Sequence, residues 1–453
     1  MLCSLMPRKF VVFIVPLVLS ACAATSIFQS YTSEAVKYKS ALSADNAEPV
    51  LERLDSKATG ADKLLYLSER GRIHQVHDQF EASKADFEQV IQIYSKGEDK
   101  ARINVTGVAA DSAALFSNDN AIPYQGYDFE RVFLHQFQAF NYLAANDVSG
   151  AGVELRRAAL EQRNLELANE RAIAAAEEEA QEQSVQLPNL AAIPQLQGMS
   201  ELVGDTKSAF QNAYTFYASA VIWESMGERN SALVDYKKAL EINPNNKGLQ
   251  QDVQRLDQRS RRSKAAALVV LYEDGFIPER QSFTFTIPDF YNDKTYSIAF
   301  PYYSAQNWYQ PVPLLVAVDN GLSHQTELLA NFGNMAVASL KEKVPALMVR
   351  QILRARVKYE MQAQAQKADQ LVGIATTLYN IASERADLRN WLTLPNNAQA
   401  VRVEIPAGGE HNVQLSTLTG QAKVVPVALV DGRTTILRVF NFNNNLKTQT
   451  FQL

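Results

Sequence analysis

Two kinds of hydrophobic pattern divide the chain near residue 265. Before this point apolar residues recur at every third or fourth position, which indicates amphipathic helices. After it, short segments alternate apolar and polar residues or are apolar throughout, which indicates β-strands. We therefore predict an α+β protein, with a helical-hairpin domain over residues 35–264 and a mostly antiparallel β-sheet domain with two inserted helices over residues 265–453.

The helical pattern is most regular from Ala213 to Asn246, where two helices are predicted to fold back on each other. Small residues fall where the two helices approach closely, aromatic residues fill the spaces between them, and a proline follows the second helix. The residues with these packing roles are Trp223, Gly227, Ala232, Tyr236, Ala239 and Pro244. This order resembles the tetratricopeptide repeat of about 34 residues, whose units stack because one unit cannot bury its own apolar face.

Two less regular copies of the helical hairpin precede this stretch. In the first copy, Gly71 takes the small position and Phe87 lies on one face of the second helix. In the other, Ala151 takes a small position ahead of a long helix over about residues 153–183, whose glutamate-rich far half is expected to project into solvent. Ala151 and Ala232 are 81 residues apart, which is not a multiple of the repeat length, so insertions are expected between the hairpins. Residues 95–126 are predicted to be one loop-like insertion, and residues 186–198 are predicted to be the loop after the long helix.

The C-terminal domain is expected to contain about six to eight strands. The segments that predict them are 266–275, 282–290, 295–300, 311–321, 400–406, 411–418, 422–430 and 433–442. Asp431-Gly432, between the last two, is a hairpin signal. Two helices are predicted among the strands, the first from Gln325 to Glu342 and the second from Pro345, which suits a helix start, to about Asp387.

The first residues carry a targeting signal. A short positive region precedes an apolar run over residues 10–19 that is too short to span a bilayer stably. Residues 19–22 read Leu-Ser-Ala-Cys and resemble the lipobox of bacterial lipoproteins. This resemblance implies a signal peptide over residues 1–21, acyl chains on Cys22 and a lipidated tether over residues 22–34. The alternative is a plain secretory signal with a cysteine near the cleavage site by chance.

Charge and cysteine content narrow the classes of function. The chain has a formal net charge of −5, and removal of residues 1–21 would take away Arg8 and Lys9 and give −7. This acidic balance argues against a general role in binding nucleic acid. Cys22 would be the only cysteine of the mature chain, so a disulfide, a cysteine-based metal cluster and a thiol nucleophile are not expected.

Two stretches resemble segments of a family of bacterial tetratricopeptide-type outer-membrane lipoproteins, YDFERV…FNYLAANDVSGAGVELRRA and ERADLRNWLTLPNNAQAVRVEIPAGGEH. The resemblance covers most of the mature chain. It implies an outer-membrane anchor through Cys22 and a body that faces the periplasm. Alanine, and not aspartate, follows Cys22, which favours the outer over the inner membrane. The resemblance brings no known activity with it, and no cofactor is expected.

Few residues have a spacing that suggests chemistry. His74 and His77 are three residues apart on one predicted helix face, where they would bind a metal only with a third ligand. His74 also takes a position that an aromatic residue fills in the repeat, so packing is the favoured interpretation. The sequence contains no Gly-x-Ser-x-Gly elbow and no phosphate-binding glycine loop, and we predict a protein that is not an enzyme.

Arginines and a tryptophan are the candidate contact residues. Arg156-Arg157 and the basic stretch that contains Arg255 and Arg259 are candidates for contact with a partner protein, a glycan strand or a lipid headgroup. The alternative is an ordinary helix surface whose arginines pair with nearby glutamates. Trp391 is predicted to be a core anchor between the long helix and the sheet, with an exposed docking residue as the alternative.

These patterns predict a lipid-anchored scaffold or adaptor in the assembly or maintenance of the cell envelope, with other envelope proteins and peptidoglycan as candidate partners. Stacked hairpins form a concave surface that binds extended or helical segments. One alternative is a regulator or subunit of a cell-wall enzyme. The other is a glycan-modifying hydrolase, which would need two carboxylates several ångströms apart across a cleft of the C-terminal domain.

Overall fold

The computed structural model describes residues 30–103, 120, 122–183, 185, 187–258, 265–289, 294–368 and 386–453. Helices come first, and strands dominate from Ala266 onward, with one long helix among them. This arrangement confirms the predicted α+β fold class, with a helical N-terminal region followed by mostly antiparallel sheets.

The helical region is built from pairs of helices. The α-helices of the described residues are α1 (Tyr31–Ser43), α2 (Glu48–Lys57), α3 (Lys63–Val76), α4 (Phe80–Ile103), α5 (Asp128–Ala144), α6 (Val148–Glu182), α7 (Pro194–Val203), α8 (Ala213–Ser225), α9 (Arg229–Ile242), α10 (Lys247–Gln258) and α11 (Phe332–Ala368). The pairs α1–α2, α3–α4, α5–α6 and α8–α9 are consecutive helices in contact, and α10 packs on α9.

Three of these hairpins, α3–α4, α5–α6 and α8–α9, share one turn. In each, the second residue after the first helix has a positive φ, 60° at Asp78, 57° at Asn146 and 82° at Gly227. The next residue in each donates its backbone N–H to the carbonyl five residues earlier, at 2.9 Å. This is the Schellman ending of a helix, which requires a left-handed residue. Aspartate, asparagine and glycine are the residues that adopt this conformation most readily.

Glycines allow the helices to approach closely. A Cβ atom on Gly71 of α3 would lie 2.6 Å from Cε1 of Phe87 in α4. A Cβ atom on Gly152 of α6 would lie 2.9 Å from the indole ring of Trp223 in α8. Carbon atoms in favourable contact are about 3.5–4.0 Å apart. A larger residue at either position would therefore push the helices or their aromatic side chains apart.

The strands form three sheets. They are β1 (Ala266–Asp274), β2 (Gln281–Asp289), β3 (Lys294–Tyr302), β4 (Leu314–Val318), β5 (Ser323–Gln325), β6 (Glu327–Asn331), β7 (Asn397–Ile405), β8 (Gly409–Thr417), β9 (Ala422–Leu429), β10 (Thr434–Phe442) and β11 (Asn445–Gln452). A five-stranded sheet has the order β11-β10-β1-β7-β6, a four-stranded sheet has the order β5-β4-β8-β9, and β2 pairs with β3 as a separate ribbon. Among the described strand pairs, β1 with β10 is parallel and the others are antiparallel.

The five-stranded and four-stranded sheets pack face to face as a β-sandwich. Leu268 of β1 lies in the core between them, together with Val316 of β4 and Val413 of β8. Val269 and Leu271 point to the opposite face of the same strand, as the two-residue period of a strand requires. Every residue of β1 is buried, so this strand contributes to a core on each side.

The helical hairpins cover the other face of the five-stranded sheet. One continuous core joins α3, α5 and α8 to β1, β7 and β10, and includes Ile73, Phe137, Tyr214, Leu271, Ala398 and Phe440. The change at residue 265 therefore separates two types of secondary structure that share a hydrophobic core.

The inserted helical region differs from the prediction. α11 is one helix that continues through Pro345, where the sequence predicts the start of a second helix. Proline lacks the N–H that would bond to the carbonyl four residues earlier, but Leu340, Val344 and Met348 around it are buried and hold the helix in place. The stretch from Gln325, predicted as helix, contains the end of β5 and all of β6. Residues 369–385 lie outside the described part of the chain.

The turn at Asp431-Gly432 joins strands of different sheets. The sequence predicts a hairpin there, but β9 belongs to the four-stranded sheet and β10 to the five-stranded sheet. Leu429 before the turn and Leu437 after it both reach the core between the sheets. The chain therefore crosses the sandwich here, which buries both strands on the same core. The strands β5, β6 and β11 are additional to the predicted ones.

Two segments predicted as loops contain helix. α4 extends to Ile103, past residue 95 where an insertion is predicted, and residues 104–119 of that insertion lie outside the described residues. Within the predicted loop over residues 186–198, Leu190–Ala192 forms a 3₁₀ helix and α7 begins at Pro194. Proline is favourable in the first turn of a helix, because the N–H it lacks has no helical partner there.

The long helices α6 and α11 run parallel to each other and keep the same register along their contact. Asn169 donates a side-chain hydrogen bond to Glu342 at 2.9 Å, and Arg356 donates to the carbonyl of Gln183 at 2.8 Å. The two contacts are 14 residues apart on both helices. A narrow stripe of the far half of α6 is therefore packed, while its outer face is exposed.

The loop after α9 covers one edge of the five-stranded sheet. Asn243 donates its side-chain amide to the carbonyl of Leu329 in β6, and Asn246 donates to the carbonyl of Leu328 at 2.8 Å. β6 is an edge strand, and the polar backbone groups of an edge can pair with another chain. The asparagines on both sides of Pro244 occupy two of these carbonyls.

Candidate functional site

The first helices of the hairpins α3–α4, α5–α6 and α8–α9 all face the five-stranded sheet. Glu273 of β1 lies in this interface and is fully buried. Its carboxylate accepts hydrogen bonds from Arg72 of α3, from Arg438 of β10 at 2.7 Å and from the hydroxyl of Tyr214 of α8 at 2.8 Å. The guanidinium of Arg72 also lies over the ring of Phe137 in α5, 4.3 Å from its centroid. One carboxylate thus joins the sheet to the hairpins.

Electrostatics explains why Glu273 stays charged. Burial on its own would raise the pKa of Glu273, but the positive charges of Arg438 and Arg72 outweigh it and hold that pKa below its usual value. Burial lowers the pKa of Arg72. When one partner of a buried ion pair is removed, the other is left uncompensated, which costs about 3–5 kcal/mol. The cluster is therefore a structural contact between helices and sheet.

The same side of the hairpins holds residues 386–396, which we call the clasp segment. Two buried glutamates bind its backbone. The N–H of Leu392 donates to Glu69 of α3, and the N–H of Trp391 donates to Glu130 of α5, both at 2.8 Å. The hydroxyl of Thr393 donates to the second oxygen of Glu69. The irregular backbone of the clasp segment is thereby satisfied by side chains.

The carboxyl of Glu69 has an unusual pKa for a glutamate. Burial raises the pKa of Glu69 from 4.5 to about 7, although hydrogen bonds from Thr393, Tyr31 and Leu392 favour the ionised form. Burial also raises the pKa of Glu130. Both side chains accept hydrogen bonds from the clasp segment, so the protonation of these two carboxyls is coupled to its attachment.

Two side chains of the clasp segment complete its attachment. Trp391 is buried, with its ring centroid 5.9 Å from that of Phe87 and 5.8 Å from that of Phe137. It is a core anchor, as predicted, but its ring partners lie on α4 and α5 and not on the long helix. Arg389 forms an ion pair with Asp62 at 2.7 Å. The clasp segment is therefore bound by backbone, ring and charge contacts.

The surface that the repeat pattern predicts as a binding groove is occupied by the chain itself. The five-stranded sheet and the clasp segment lie against α3, α5 and α8. The sequence predicts that this side of the hairpins binds a segment of another protein, but the structure places part of the same chain there. The segment held there is residues 386–396, whose backbone is irregular and turns at residues 392–394.

The residues predicted from the repeat lie at contacts within and between hairpins. Those that are buried are Phe87, Ala151, Trp223, Ala232, Tyr236 and Ala239. Gly71 lies against Phe87, Gly227 has the left-handed conformation of the turn, and Pro244 follows the end of α9.

Arg156 and Arg157, predicted as partner contacts, are exposed on α6. Arg157 forms an ion pair with Glu154 at 2.7 Å and keeps 54% of its side chain exposed. The guanidinium of Arg156 lies over the ring of Trp223, 4.4 Å from its centroid. Both positive charges are therefore accessible on the outside of the hairpin.

Arg255, also predicted as a partner contact, belongs to a network inside the chain. It binds Glu224 at 2.5 Å and Asp252 at 2.9 Å, and Arg402 of β7 lies within 4 Å of the same two carboxylates. Burial would raise the pKa of Glu224, but the two arginines outweigh it and lower that pKa. We therefore do not retain Arg255 as a partner contact. Arg259 lies outside the described residues.

This network forms one wall of a polar cleft of about 340 Å³ between α10 and the strands β5 to β7. Its acidic lining residues are Asp252, Glu327 and Glu404. Asp252 is bound by Arg255, and Glu327 accepts the backbone N–H of Gly248 at 3.0 Å. Two of the carboxylates are thus engaged by the chain, whereas a glycan hydrolase needs an acid and a base directed at its substrate.

The histidines of α3 and its C-terminal turn are engaged in local hydrogen bonds. His74 bonds through Nδ1 to Gln79, and His77 bonds through Nε2 to the carbonyl of Ala41 at 2.8 Å. Over the described ranges of the chain, no group of three or more His, Cys, Asp or Glu is placed to hold a metal ion.

The side chains that join the helices to the sheet and the clasp segment were not identifiable from the sequence. Glu69 and Glu130 each lie on a helix with other polar residues, where a glutamate is normally exposed. Glu273 gives the clearest signal, because it follows the apolar run of β1 and is buried with it. A charged residue inside a continuous apolar strand is an indication of a buried partner.

The four-stranded sheet turns one face to solvent, and we call this the outer sandwich face. Strand alternation and register place on it Leu315, Ala317, Ser323, Gln325, Glu410, Asn412, Gln414, Ser416, Ala422, Val424, Pro426 and Ala428. Glu410 is the one charged residue of these 12 positions. The solvent face of an antiparallel sheet is usually polar, and depletion of charge is a property of the centre of protein interfaces.

The fold defines this protein as a set of helical hairpins packed on one face of a β-sandwich. Comparison with known protein families, with curated proteins and with solved structures found no match to the chain. None of the helices that the structure describes is both long and apolar enough to cross a membrane. The predicted lipidation residue, Cys22, precedes the described residues.

Proposed function

We propose that this protein is a lipid-anchored scaffold or adaptor of the bacterial outer membrane that faces the periplasm and binds envelope proteins through the outer sandwich face. The anchor is supported by the lipobox-like residues 19–22. Cys22 precedes Tyr31, the first residue of α1, by nine positions. Nine extended residues span at most about 30 Å, so an anchor at Cys22 would keep the folded body close to the membrane.

The composition of the outer sandwich face carries this proposal. Val424 pairs with Gln414, and Gln414 pairs with Ala317, so aliphatic and amide side chains form a row across three strands. Val424 is 58% exposed. Burial of apolar area against a partner gains about 25 cal/mol per Å², and the near absence of charge from this face avoids the cost of desolvating ions.

The rest of the fold supports a scaffold because it holds this face rigidly. The core of the sandwich joins the four-stranded sheet to the five-stranded sheet. The cluster around Glu273 and the clasp segment then join the five-stranded sheet to the hairpins. A partner bound at the outer sandwich face would therefore be held in a fixed relation to α1 and to the anchor that precedes it.

Capture of partners in cells tests the proposed surface. Cells express the full chain with a C-terminal tag as wild type, Val424→Glu or Val234→Glu, and crosslinked complexes are purified. Val234 is the matched control, because it is a valine of α9 that is 52% exposed. We expect a defined envelope protein with the wild type and Val234→Glu and its loss with Val424→Glu. Equal capture by all three would contradict the assignment of this surface.

The anchor is tested separately with Cys22→Ala. We expect the wild type in the outer-membrane fraction and Cys22→Ala outside it, with loss of the captured partner. Membrane retention of Cys22→Ala at the wild-type level would contradict anchoring through Cys22. A captured peptidoglycan enzyme would define the scaffold as a regulator of cell-wall synthesis, whereas a protein of outer-membrane assembly would define it as an assembly factor.

A further inference from the structure

The outer side of α6 carries large apolar side chains at a regular interval. Val153, Leu160 and Leu167 are seven residues apart and are 44%, 49% and 54% exposed. Leu165 and Ala176 are buried on the opposite side of the helix. A coiled coil repeats two apolar positions in every seven residues. α6 has one of them, and Arg156, Arg163 and Glu170 take the other. The stripe therefore offers another helix a narrow apolar row flanked by charged residues. This stripe is separate from the outer sandwich face.

Charge along α6 changes sign from one end to the other. The exposed arginines are Arg156, Arg157, Arg163 and Arg171, with the exposed acids Glu166 and Glu170 among them, whereas the exposed ionisable residues of the last two turns are all acidic: Glu177, Glu178, Glu179 and Glu182. Negative charge near the C-terminus of a helix is unfavourable, because the helix dipole already places partial negative charge there. Arg356 of α11 already donates to the carbonyl of Gln183 at this end, and positive charge from another molecule would stabilise the four glutamates further.

We propose that two copies of this chain associate through α6, with the two helices antiparallel. A two-fold axis beside Leu167 places this leucine against Leu167 of the second copy. The pairs formed at equal distances from the axis are Leu160 with Ala174, Val153 with Gln181, Arg156 with Glu178 and Arg157 with Glu177. Each copy thus contributes the same surface to the contact, as a two-fold interface requires.

Charge complementarity selects a second copy as the partner and antiparallel as the direction. A parallel pair would set the arginines of one helix against those of the other and the glutamates against the glutamates. The antiparallel register has one like-charge contact, because it sets Arg163 opposite Arg171 on each side of the axis, and Glu166 and Glu170 on the same helices offset it. Attachment of both copies to one membrane would raise their effective concentration, which favours a contact made by a single helix from each.

Disulfide formation in cells tests the contact with the full chain. A disulfide needs Cα atoms about 4.4–6.8 Å apart. Leu167→Cys lies at the two-fold axis, so oxidation is expected to produce a species of twice the mass of the chain, which the wild type does not produce. Leu322→Cys is the control for random collision, because Leu322 is 85% exposed and lies on the sandwich. We expect little crosslinking from this control.

Direction is tested with Val153→Cys and Gln181→Cys. In the antiparallel pair neither substitution alone brings two thiols together, whereas the double variant is expected to crosslink between copies. Glu178→Lys in the Leu167→Cys background is expected to reduce the crosslinked fraction, because it sets a lysine against Arg156. Crosslinking by Val153→Cys alone as strong as by the double variant would indicate a parallel pair and overturn the proposal.

Two further results would overturn it. One is a folded Leu167→Cys variant that crosslinks no more than Leu322→Cys. The other is a crosslinked fraction unaffected by Glu178→Lys. The outcome is independent of the proposed scaffold surface, because Val424→Glu is expected to remove the captured partner and to leave the Leu167→Cys crosslink unchanged.

Discussion

Glu69 of α3 accepts a hydrogen bond from the backbone N–H of Leu392, which lies 323 residues later in the chain, at 2.8 Å. The same carboxylate accepts the hydroxyl of Thr393, the next residue. A buried N–H group needs an acceptor, and within a sheet the neighbouring strand supplies it. In the clasp segment the N–H of Asn396 donates to the carbonyl of Asp274 in β1, whereas the N–H groups of Trp391 and Leu392 donate to Glu130 and Glu69 of two helices.

The raised pKa of Glu69 predicts a stability that falls as pH rises. This pKa is about 7 in the folded protein against an ordinary 4.5. Between these values the folded state binds the proton more tightly than the unfolded state, so the stabilising contribution is complete below pH 4.5 and is lost as pH rises through about 7. Glu130, whose pKa is also raised by burial, contributes with the same sign.

Denaturant unfolding across this pH range measures the effect. We expect Glu69→Gln to reduce the fall in the free energy of unfolding between about pH 5 and pH 8, because the substituted side chain does not titrate. Glu52→Gln is the control, since Glu52 is exposed on α2, and it should leave the fall unchanged. The same pH profile for Glu69→Gln and the wild type would contradict the assignment of the titration to this carboxyl.

Removal of the carboxylate between helices and sheet is expected to cost about 3–5 kcal/mol. Glu273→Gln leaves the guanidiniums of Arg72 and Arg438 buried without a compensating charge. Glu279→Gln removes the partly exposed partner of Lys39 and should cost less than about 1 kcal/mol. Unfolding by urea measures both differences. A cost for Glu273→Gln no larger than that for Glu279→Gln would show that the cluster does not stabilise the fold.

The types of element were largely predictable because periodicity is a local property. The helices α8 and α9 follow from the regular spacing of small and aromatic residues between Ala213 and Asn246. β1 follows from its continuous apolar run, and β2 follows from the alternation of Phe283, Phe285 and Ile287 with polar residues. β5 has three residues, too few for a period to be recognised. The prediction at Pro345 was wrong because tertiary contacts kept the helix continuous.

The contacts that build the candidate surfaces were not predictable, because they join distant residues. The parallel pairing of β1 with β10 aligns Ala267 with Thr434, and no local signal specifies it. The clasp segment has no periodicity, and its binding by Glu69 and Glu130 depends on the arrangement of three separate parts of the chain. The occupied side of the hairpins could therefore be recognised only from the structure.

Replacement by alanine should lower the stability of the protein at Gly71 and raise it at Gly97. Gly71→Ala would place a Cβ atom 2.6 Å from Cε1 and 2.8 Å from Cδ1 of Phe87, which is fully buried. Overpacking of this kind costs about 1–3 kcal/mol. Gly97 lies in α4, where an added Cβ has no described neighbour within 4 Å. Alanine has the higher helix propensity, so Gly97→Ala should stabilise by up to about 1 kcal/mol.

Thermal or urea unfolding of the two glycine variants distinguishes close helix packing from a general effect of alanine. A lower stability of Gly71→Ala together with an unchanged or higher stability of Gly97→Ala is the expected result. Gly71→Ser should be at least as destabilising as Gly71→Ala, because the larger side chain meets the same ring of Phe87. A gain in stability at Gly71 would mean that α3 and α4 are not in direct contact there. The small position that the repeat pattern assigns to Gly71 would then lack its physical basis.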